Sequence, residues 1–268
     1  MGTIAVTGAA SGMGAAIAAR LTAQGHRVIG VDLHGTEVTA DLGSAEGRTA
    51  AAAEIVRLAE GRLDGFVPFA GLSGGAGRSP SLLVSVNYYG AIGLLEELRP
   101  ALAAAGQSSV VLASSNSVTT QPGWHPELAS ACLAGDEAAA RTLADSLADG
   151  GGVRTYPATK AAIAHYTRTR AAGYIADGIR LNAVAPGYID TPMTRAGSED
   201  PRIAAGIKAY LAAIPAGRAG RPEEVADLVL FLLSGASAYC VGTLMYCDGG
   251  LDAQLRGLDW PKVRTVES

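Results

Sequence analysis

A tyrosine and a lysine stand four residues apart, Tyr156 and Lys160, at the head of a segment with helical composition, "YPATK" at 156–160. Residues four apart share one face of a helix. An ammonium one turn from a phenol favours the phenolate and lowers a pKa that is ordinarily near ~10. Such a phenol could take the hydroxyl proton of an alcohol near neutral pH. Taken alone, the pair is more often an ordinary surface contact, so the rest of the chain has to be weighed.

A glycine-rich stretch, "VTGAASGMGAA" at 6–16, lies between a predicted strand and a predicted helix. Gly8, Gly12 and Gly14 would permit a tight turn and a close approach to a pyrophosphate, which the helix N-terminus favours. Asp32 follows at the end of the second predicted strand, where a carboxylate can accept hydrogen bonds from an adenosine ribose. It would repel a 2′-phosphate, and no Arg or Lys follows closely. The pattern therefore predicts NAD rather than NADP.

The composition excludes several classes of protein. Apolar residues make up 49% and charged residues 17% of the 268 residues, which argues against a disordered chain. A net charge of −4 without a basic run gives no sign of nucleic-acid binding. Three scattered cysteines lack metal-ligand spacing and indicate reduced thiols, namely Cys132, Cys240 and Cys247. The first residues show no secretory signal, and turn residues interrupt the uncharged stretch 228–247. We expect a cytoplasmic protein without a membrane span or a metal site.

Short apolar strand patterns alternate with helical patterns along the chain, which is typical of a parallel sheet covered on both faces. This pattern predicts a single α/β domain over 1–268, a Rossmann-like doubly wound parallel sheet of about seven strands. The predicted strands are 3–6, 27–33, 37–42, part of 64–71, 108–115, 179–187 and part of 243–250. The predicted helices are 12–24, 44–60, 81–105, 156–176 and 222–234.

Two segments depart from this alternation. Residues 121–152, between strand five and the helix that begins near Tyr156, predict one or two amphipathic helices, and we name them the insert. A connection that long usually serves as a lid or a binding surface. Residues 192–214 predict a mobile helical flap over the substrate, and we name them the flap. Packing within the flap explains its apolar residues slightly better than an alicyclic ligand does: Tyr210, Leu211 and Ile214.

Motifs spread over the whole chain together resemble the short-chain dehydrogenase/reductase family. They are "TGAASGMG" (7–14), Asp32, "ADL" (40–42), Asn87, "ASS" (113–115), "YPATK" (156–160), "APGYIDTPM" (185–193) and "DGG" (248–250). The long insert, "VSVNYYGA" (84–91), "IRLNAVAPG" (179–187) and "YCDGGLDA" (246–253) resemble the bacterial 3α-hydroxysteroid dehydrogenase/carbonyl reductase branch. The resemblance implies a homo-oligomeric, dimeric or tetrameric, NAD-dependent oxidoreductase. It would interconvert a secondary alcohol and a ketone, on a cyclic or bulky hydrophobic substrate such as a 3α-hydroxysteroid.

The resemblance also implies catalytic roles. Tyr156 would be the general base or acid, and a serine after strand five would hold the substrate oxygen. Residue types alone do not separate Ser115 from Ser114 and Ser117, but the family pattern selects Ser115. Lys160, with the positive ring of oxidised nicotinamide, would lower the pKa of Tyr156. Asn87 would support a water that relays the proton through Lys160.

For the cofactor, the family pattern matches a set of positions along the chain. These are Gly8, Ser11, Gly12, Met13, Gly14, Asp32, Asp41, Leu42, Ala70, Gly71, Tyr156, Lys160, Pro186, Gly187, Ile189 and Thr191. Thr191 would hold the nicotinamide carboxamide, and Asp41 and Leu42 would lie beside the adenine. The chain departs from the pattern at Phe69, where many members have Asn, so the stabilising hydrogen bonds of that Asn are in doubt.

Three alternatives remain open at this point. A carbonyl or acyl-thioester reductase of the same fold is the runner-up, and a non-catalytic cofactor-binding sensor is a more distant reading. "GLSGG" at 71–75 matches the nucleophile elbow of α/β hydrolases. That motif needs a helix directly after its serine, whereas loop composition follows here. The later histidines, His125 and His165, lie in the insert and in a predicted helix.

Overall fold

A parallel sheet forms the centre of the protein, whose computed structural model describes residues 2–74, 77–121, 123–147, 152–198 and 204–260. Its strands are β1 (Thr3–Thr7), β2 (Arg27–Asp32), β3 (Val38–Thr39), β4 (Gly65–Pro68), β5 (Ser108–Ala113), β6 (Ile179–Pro186) and β7 (Leu244–Cys247). They lie in the order β3-β2-β1-β4-β5-β6-β7, and every pairing is parallel. The order reverses direction between β1 and β4, where doubly wound sheets bind ligands beyond the strand ends. The predicted sheet is confirmed.

Helices cover both faces of the sheet. They are α1 (Gly12–Ala23), α2 (Ala45–Leu58), α3 (Pro80–Val84), α4 (Gly90–Ala104), α5 (Ser117–Thr120), α6 (Pro126–Ala134), α7 (Glu137–Ser146), α8 (Thr155–Ala176), α9 (Pro192–Ser198), α10 (Ala204–Ala213), α11 (Pro222–Leu233) and α12 (Leu251–Arg256). One apolar core joins the sheet to α2, α4 and α8 through Ile55, Leu95 and Ile163. A second core joins the other face to α1 and α11 through Ile17 and Val229. These five helices therefore each bury one side against the sheet.

Two element boundaries differ from the sequence prediction in ways that affect the site. The helix predicted over 81–105 is interrupted by one π-helical turn at Ser85–Tyr89. Strand five ends at Ala113 rather than at residue 115, so Ser115 lies in the loop beyond it. The predicted third strand shortens to two residues at the sheet edge.

The uncharged stretch 228–247 forms the end of α11, a turn and β7, as the turn residues indicated. Within the described parts of the chain, no helix combines the length and the apolar character that crossing a bilayer requires.

The insert contains two helices, α6 and α7, while its residues 122 and 148–151 lie outside the described ones. Gly135, with φ +86°, ends α6 in the left-handed conformation that glycine adopts without strain. Asp136 then begins α7 by accepting a hydrogen bond from the Ala139 amide at 3.0 Å. Leu133, Leu143 and Leu147 pack against the main core, which accounts for their helical spacing.

Polar contacts fix α7 to the body of the protein. Glu137 forms an ion pair with Arg48 of α2, and Arg48 also donates to the Leu42 carbonyl at 3.2 Å. Farther along α7, Arg141 donates to the Ser85 hydroxyl at 3.1 Å, where the π-helical turn begins. The insert is therefore held against the π-helical turn and against the loop that follows β3.

The buried Arg48–Glu137 pair yields a stability prediction. The Arg48 side chain is only 7% exposed, so Arg48→Met leaves the Glu137 carboxylate and the Leu42 carbonyl without their partner. We expect a loss of about 3 kcal/mol in unfolding free energy, measured by urea denaturation. Arg57→Met on the same helix is the matched control, because the Arg57–Glu54 pair is solvent-exposed and should contribute nothing measurable. Equal midpoints for the two variants would contradict the prediction.

Candidate active site

The glycine-rich loop between β1 and α1 packs tightly at the carboxyl edge of the sheet. Gly8 has φ +69°, and a Cβ atom there would lie 2.8 Å from the Ala70 amide nitrogen. A Cβ at Gly14 would lie 2.1 Å from the Gly8 carbonyl oxygen, so only glycine allows this approach. Ser11 precedes α1, and its side chain makes no capping hydrogen bond. The first amide groups of α1 and the Ser11 hydroxyl are thus arranged as phosphate binding requires.

A cleft of about 470 Å³ extends from this loop between the ends of β1, β2 and β4. Asp32 ends β2 and accepts hydrogen bonds from the Ala10 amide at 3.0 Å and the Leu33 amide at 2.7 Å. Its carboxylate retains further acceptor sites for a ribose. The predicted cofactor residues at its wall are Gly8, Ser11, Gly12, Met13, Gly14, Asp32, Asp41, Leu42, Ala70, Gly71 and Thr191. The structure therefore brings the residues predicted from separate motifs into one cleft with the size of a ligand site.

Two hydrogen bonds with Thr7 hold the loop after β4, in which Phe69 stands where many family members have Asn. The Thr7 hydroxyl accepts a hydrogen bond from the Ala70 amide at 3.0 Å, and the Phe69 amide donates to the Thr7 carbonyl at 3.3 Å. Phe69 itself lies in the wall of the cleft. Thr7 therefore stabilises the loop at the point where the missing Asn side chain left its hydrogen bonds in doubt.

The catalytic candidates lie in a compartment of about 100 Å³ that adjoins the larger cleft. Tyr156 and Lys160 occupy the first turns of α8, and the Lys160 Nζ atom lies 5.9 Å from the centre of the Tyr156 ring. Ser115 and Tyr156 line this compartment together, and the Ser115 hydroxyl acts to lower the pKa of the phenol. Lys160 is buried and donates to the Ala113 carbonyl at 2.9 Å. The four-residue spacing thus places phenol and ammonium on the side of α8 that faces the end of β5.

The structure distinguishes the three neighbouring serines. Ser114 donates to the Lys160 carbonyl at 2.9 Å and so fixes α8 to the end of β5. Ser115 lies beside Tyr156 and also accepts a hydrogen bond from the Ser117 amide at 3.1 Å. The Ser117 hydroxyl is buried and has no partner in the described parts of the chain. Of the three serines, Ser115 is the one whose hydroxyl acts on the pKa of the Tyr156 phenol.

Asn87 lies in the π-helical turn rather than in a regular helix. Its Oδ1 atom accepts from the Leu72 amide at 2.7 Å, and its Nδ2 atom donates to the Leu72 carbonyl at 3.0 Å. Gly71 lies between the two polar side chains, because a Cβ there would be 3.2 Å from Asn87 Oδ1 and 3.9 Å from Lys160 Nζ. Single π-helical turns occur frequently at functional sites. The structure places Asn87 beside Lys160, while the water relay stays a prediction.

The pKa of Tyr156 does not shift as the residue spacing led us to expect. Burial raises the pKa of the phenol, and the hydrogen bond to Ser115 opposes that rise. Burial also lowers the pKa of Lys160 to about 8, because the ammonium is taken out of water. In the protein alone, burial therefore raises the pKa of Tyr156, which is opposite to the lowering that the spacing of Tyr156 and Lys160 predicted.

The remaining predicted residues surround the other side of this compartment. Its wall includes Pro186 at the end of β6 and, in the loop that follows, Gly187, Ile189 and Thr191. The Thr191 methyl group would lie 3.5 Å from a Cβ at Gly12, so the residue before the flap approaches the glycine-rich loop. Sequence reasoning missed further wall residues, which lie outside the motifs: Leu33, Gly43, Leu72, Arg78, Leu82 and Thr194.

Two family models match the chain. The NAD dependent epimerase/dehydratase family matches residues 4–195, and the Enoyl-(Acyl carrier protein) reductase family matches residues 150–252. The 3-alpha-hydroxysteroid dehydrogenase/carbonyl reductase of Comamonas testosteroni is 38% identical over 96% of this chain and 98% of its own. The cis-4-hydroxycyclohexanecarboxylate dehydrogenase of Sinomonas cyclohexanicum is 46% identical over 37% of this chain and 38% of its own.

A solved structure extends this similarity to the fold. The 3-alpha-hydroxysteroid dehydrogenase of Pseudomonas sp. B-0831, complexed with NADH, matches with a TM-score of 0.88. It is 37% identical, and the match covers 95% of this chain and 98% of that one. The chain belongs to the short-chain dehydrogenase/reductase family, and it is an oxidoreductase with a nicotinamide dinucleotide cofactor. The resemblance to the 3α-hydroxysteroid dehydrogenase/carbonyl reductase branch is confirmed.

The close packing at Gly14 predicts the effect of one methyl group. Gly14→Ala places a Cβ against the Gly8 carbonyl and must displace the phosphate-facing turn. We expect NADH affinity to fall at least about tenfold, ~1.4 kcal/mol, in a fluorescence titration. Gly235→Ala adds the same methyl group where no atom lies within 4 Å, and it should bind NADH like the parent protein. Unchanged NADH affinity in Gly14→Ala would contradict this description of the loop.

Proposed function

We propose that the protein is an NAD-dependent oxidoreductase that interconverts a secondary alcohol and a ketone on a cyclic or bulky hydrophobic substrate. A 3α-hydroxysteroid is the first candidate. The observation that carries the proposal is that Ser115, Tyr156 and buried Lys160 line one compartment that adjoins the cofactor cleft, with Lys160 Nζ 5.9 Å from the centre of the Tyr156 ring. The names of the Comamonas and Pseudomonas relatives support the substrate class.

Each side chain has a distinct task in the proposed reaction. In the oxidative direction, Tyr156 as phenolate accepts the hydroxyl proton of the alcohol, and Ser115 donates a hydrogen bond to the substrate oxygen. The nicotinamide ring, when bound, accepts the hydride from the carbinol carbon. Lys160 contributes positive charge one helical turn away and favours the phenolate. Reduction of a ketone runs the same proton transfer in reverse, with Tyr156 as the acid.

The preference for NAD over NADP rests on Asp32. A carboxylate at the end of β2 accepts ribose hydroxyls and repels a 2′-phosphate. One cation, Arg78, also lies in the wall of the same cleft and gives NADP a candidate partner. The repulsion at Asp32 is the basis of the proposal, because Asp32 ends β2 and lies in the wall of the cleft.

The structure bears differently on each of the alternative functions. After Ser73, the next helix of the described chain begins only at Pro80, so the nucleophile elbow of a hydrolase lacks its helix. The match to the Enoyl-(Acyl carrier protein) reductase family keeps an acyl-thioester reductase as the second candidate. A cofactor-binding sensor would not need Ser115, Tyr156 and Lys160 together in one compartment. A homo-oligomer, dimer or tetramer, remains our expectation and is measurable by light scattering.

The direct test is NADH formation from NAD and a 3α-hydroxysteroid, followed by absorbance. We expect turnover by the parent protein and a loss of at least about 10³-fold in Tyr156→Phe, which lacks the proton-accepting hydroxyl. Tyr239→Phe is the matched control, because the Tyr239 side chain is fully exposed, and it should retain full activity.

Two further measurements test the cofactor preference and the substrate class. NADP in place of NAD should support slower turnover at equal concentration, and the reverse would overturn the assignment based on Asp32. Failure with steroids but turnover of an acyl thioester and NADH would establish the second candidate. Full activity in Tyr156→Phe would exclude the proton transfer proposed for Tyr156.

The proton transfer also fixes the sign of the pH dependence. Oxidation needs Tyr156 deprotonated and reduction needs it protonated, so kcat/KM should rise with pH for the alcohol and fall for the ketone. The apparent pKa belongs to the Tyr156–Lys160 pair rather than to either residue. Lys160→Met removes the positive charge, and we expect the rising limb of the oxidation profile to move to higher pH. An oxidation rate that falls with pH would contradict the role of Tyr156.

A further inference from the structure

Helix α10 of the flap packs loosely against the rest of the protein. None of its residues from Ala204 to Ala213 is buried, whereas Ile214, immediately after it, is 4% exposed. Ile214 packs against the loop after β7, because a Cβ at Gly249 would lie 2.7 Å from its methyl group. Of the apolar flap residues named from the sequence, Ile214 therefore belongs to the ordinary packing of the protein. The position of α10 itself depends on its half-buried side chains, among which Tyr210 is the one with polar bonds to the catalytic loop.

The Tyr210 hydroxyl faces the carboxamide of Asn116. The Asn116 Nδ2 atom donates to the hydroxyl at 2.8 Å, and the hydroxyl donates to Asn116 Oδ1 at 3.0 Å. A donor and an acceptor are thus matched on both sides, which fixes the ring direction as well as the distance. The Tyr210 ring also lies 6.3 Å from the Tyr188 ring, centre to centre, at a tilt of 47°.

Asn116 is anchored independently of the flap. It follows Ser115 directly, and its amide donates to the Pro186 carbonyl at 3.0 Å. Its Nδ2 atom also donates to Asp248 Oδ2 at 3.3 Å. Asp248 is fixed in turn by the Gly250 and Asp252 amides at 3.0 and 2.7 Å. The flap helix is therefore bonded to a residue that the ends of β5, β6 and β7 hold in place.

Tyr210 also lies within electrostatic reach of the proposed base. Its phenol adds to the rise in the pKa of Tyr156, after burial and the opposing Ser115 hydrogen bond. Tyr210 bonds to Asn116, directly after Ser115, and Met193 and Thr194 of the same flap line the catalytic compartment. A flap held at this point would close one side of the compartment where the alcohol is to react.

We propose that Tyr210 is a positioning residue, whose hydroxyl bonds α10 to Asn116 and so holds the flap over Ser115 and Tyr156 while a substrate is bound. This inference rests on the proposed function and deepens it by naming the flap residue that governs substrate retention. It predicts that loss of the hydroxyl affects the alcohol more than the cofactor, because the Tyr210–Asn116 bond lies beside the catalytic loop and not among the cofactor-cleft residues.

The first test measures the bond without any turnover. Amide hydrogen exchange of the NADH-loaded protein is compared between the parent and Tyr210→Phe, which removes one oxygen atom. We expect faster exchange at 204–213 and unchanged exchange in α11 (Pro222–Leu233). Tyr239→Phe, which removes an exposed hydroxyl, should change neither region. Unchanged exchange at 204–213, or an equal rise in α11, would overturn the proposal. This readout stands even if the substrate assigned above is wrong.

The second test separates substrate from cofactor. For Tyr210→Phe we expect KM for the alcohol to rise about three- to tenfold, the usual effect of one lost hydrogen bond, with kcat changed less than twofold. The dissociation constant for NADH should stay as in the parent. Asn116→Ala should raise KM at least as much, because it also removes the Asn116–Asp248 hydrogen bond. Adding Tyr210→Phe to Asn116→Ala should change KM little further, because the Tyr210–Asn116 bond is already lost. Independent, multiplying effects in the double variant, or an equal loss of NADH affinity, would overturn the positioning role.

Discussion

The burial of one ammonium group governs the arrangement of the site. Lys160 lies inside the protein, and its Nζ donates to the Ala113 carbonyl at 2.9 Å, while the Lys160 carbonyl accepts from the Ser114 hydroxyl at 2.9 Å. Two hydrogen bonds in opposite directions thus join one residue of α8 to the end of β5. A buried charge is costly unless its donors are satisfied. The end of β5 and the start of α8 are therefore held at a fixed separation, and Tyr156 and Ser115 meet across it.

The other elements bring their residues to this junction. The reversal of strand order between β1 and β4 opens the cleft in which the glycine-rich loop and Asp32 lie. Asn87 fixes the Leu72 backbone next to Lys160, and its π-helical turn is braced from outside by Arg141 of the insert. The insert thus supports the catalytic side of the molecule, although none of its described residues lies in the cleft wall.

The sequence predicts well those features of the structure that depend on periodic patterns or on local conformation. Alternating apolar strands and helices predict the sheet, and Gly8, Gly14 and Asp32 predict the phosphate loop and the ribose position because their conformational needs are local. The π-helical turn could not be predicted from the sequence, because its residues suit a regular helix. It accompanies the two hydrogen bonds between Asn87 and Leu72, which are contacts between residues far apart in the chain. The direction of the Tyr156 pKa shift was also missed, because burial depends on the whole fold rather than on spacing.

The three consecutive residues after β5, at 114–116, make different contacts, and these leave the Ser115 hydroxyl available for the reaction. Ser114 bonds to the backbone of α8, and Asn116 bonds to the flap and to Asp248. Ser115, between them, accepts from the amide two residues on and faces the compartment that contains Tyr156, without serving either structural contact. The three side chains have different partners, so a single loop can hold a helix, a reactive hydroxyl and a flap at once. A one-residue shift in the end of β5 would exchange these three tasks, which is why residue types alone left the choice between the serines open.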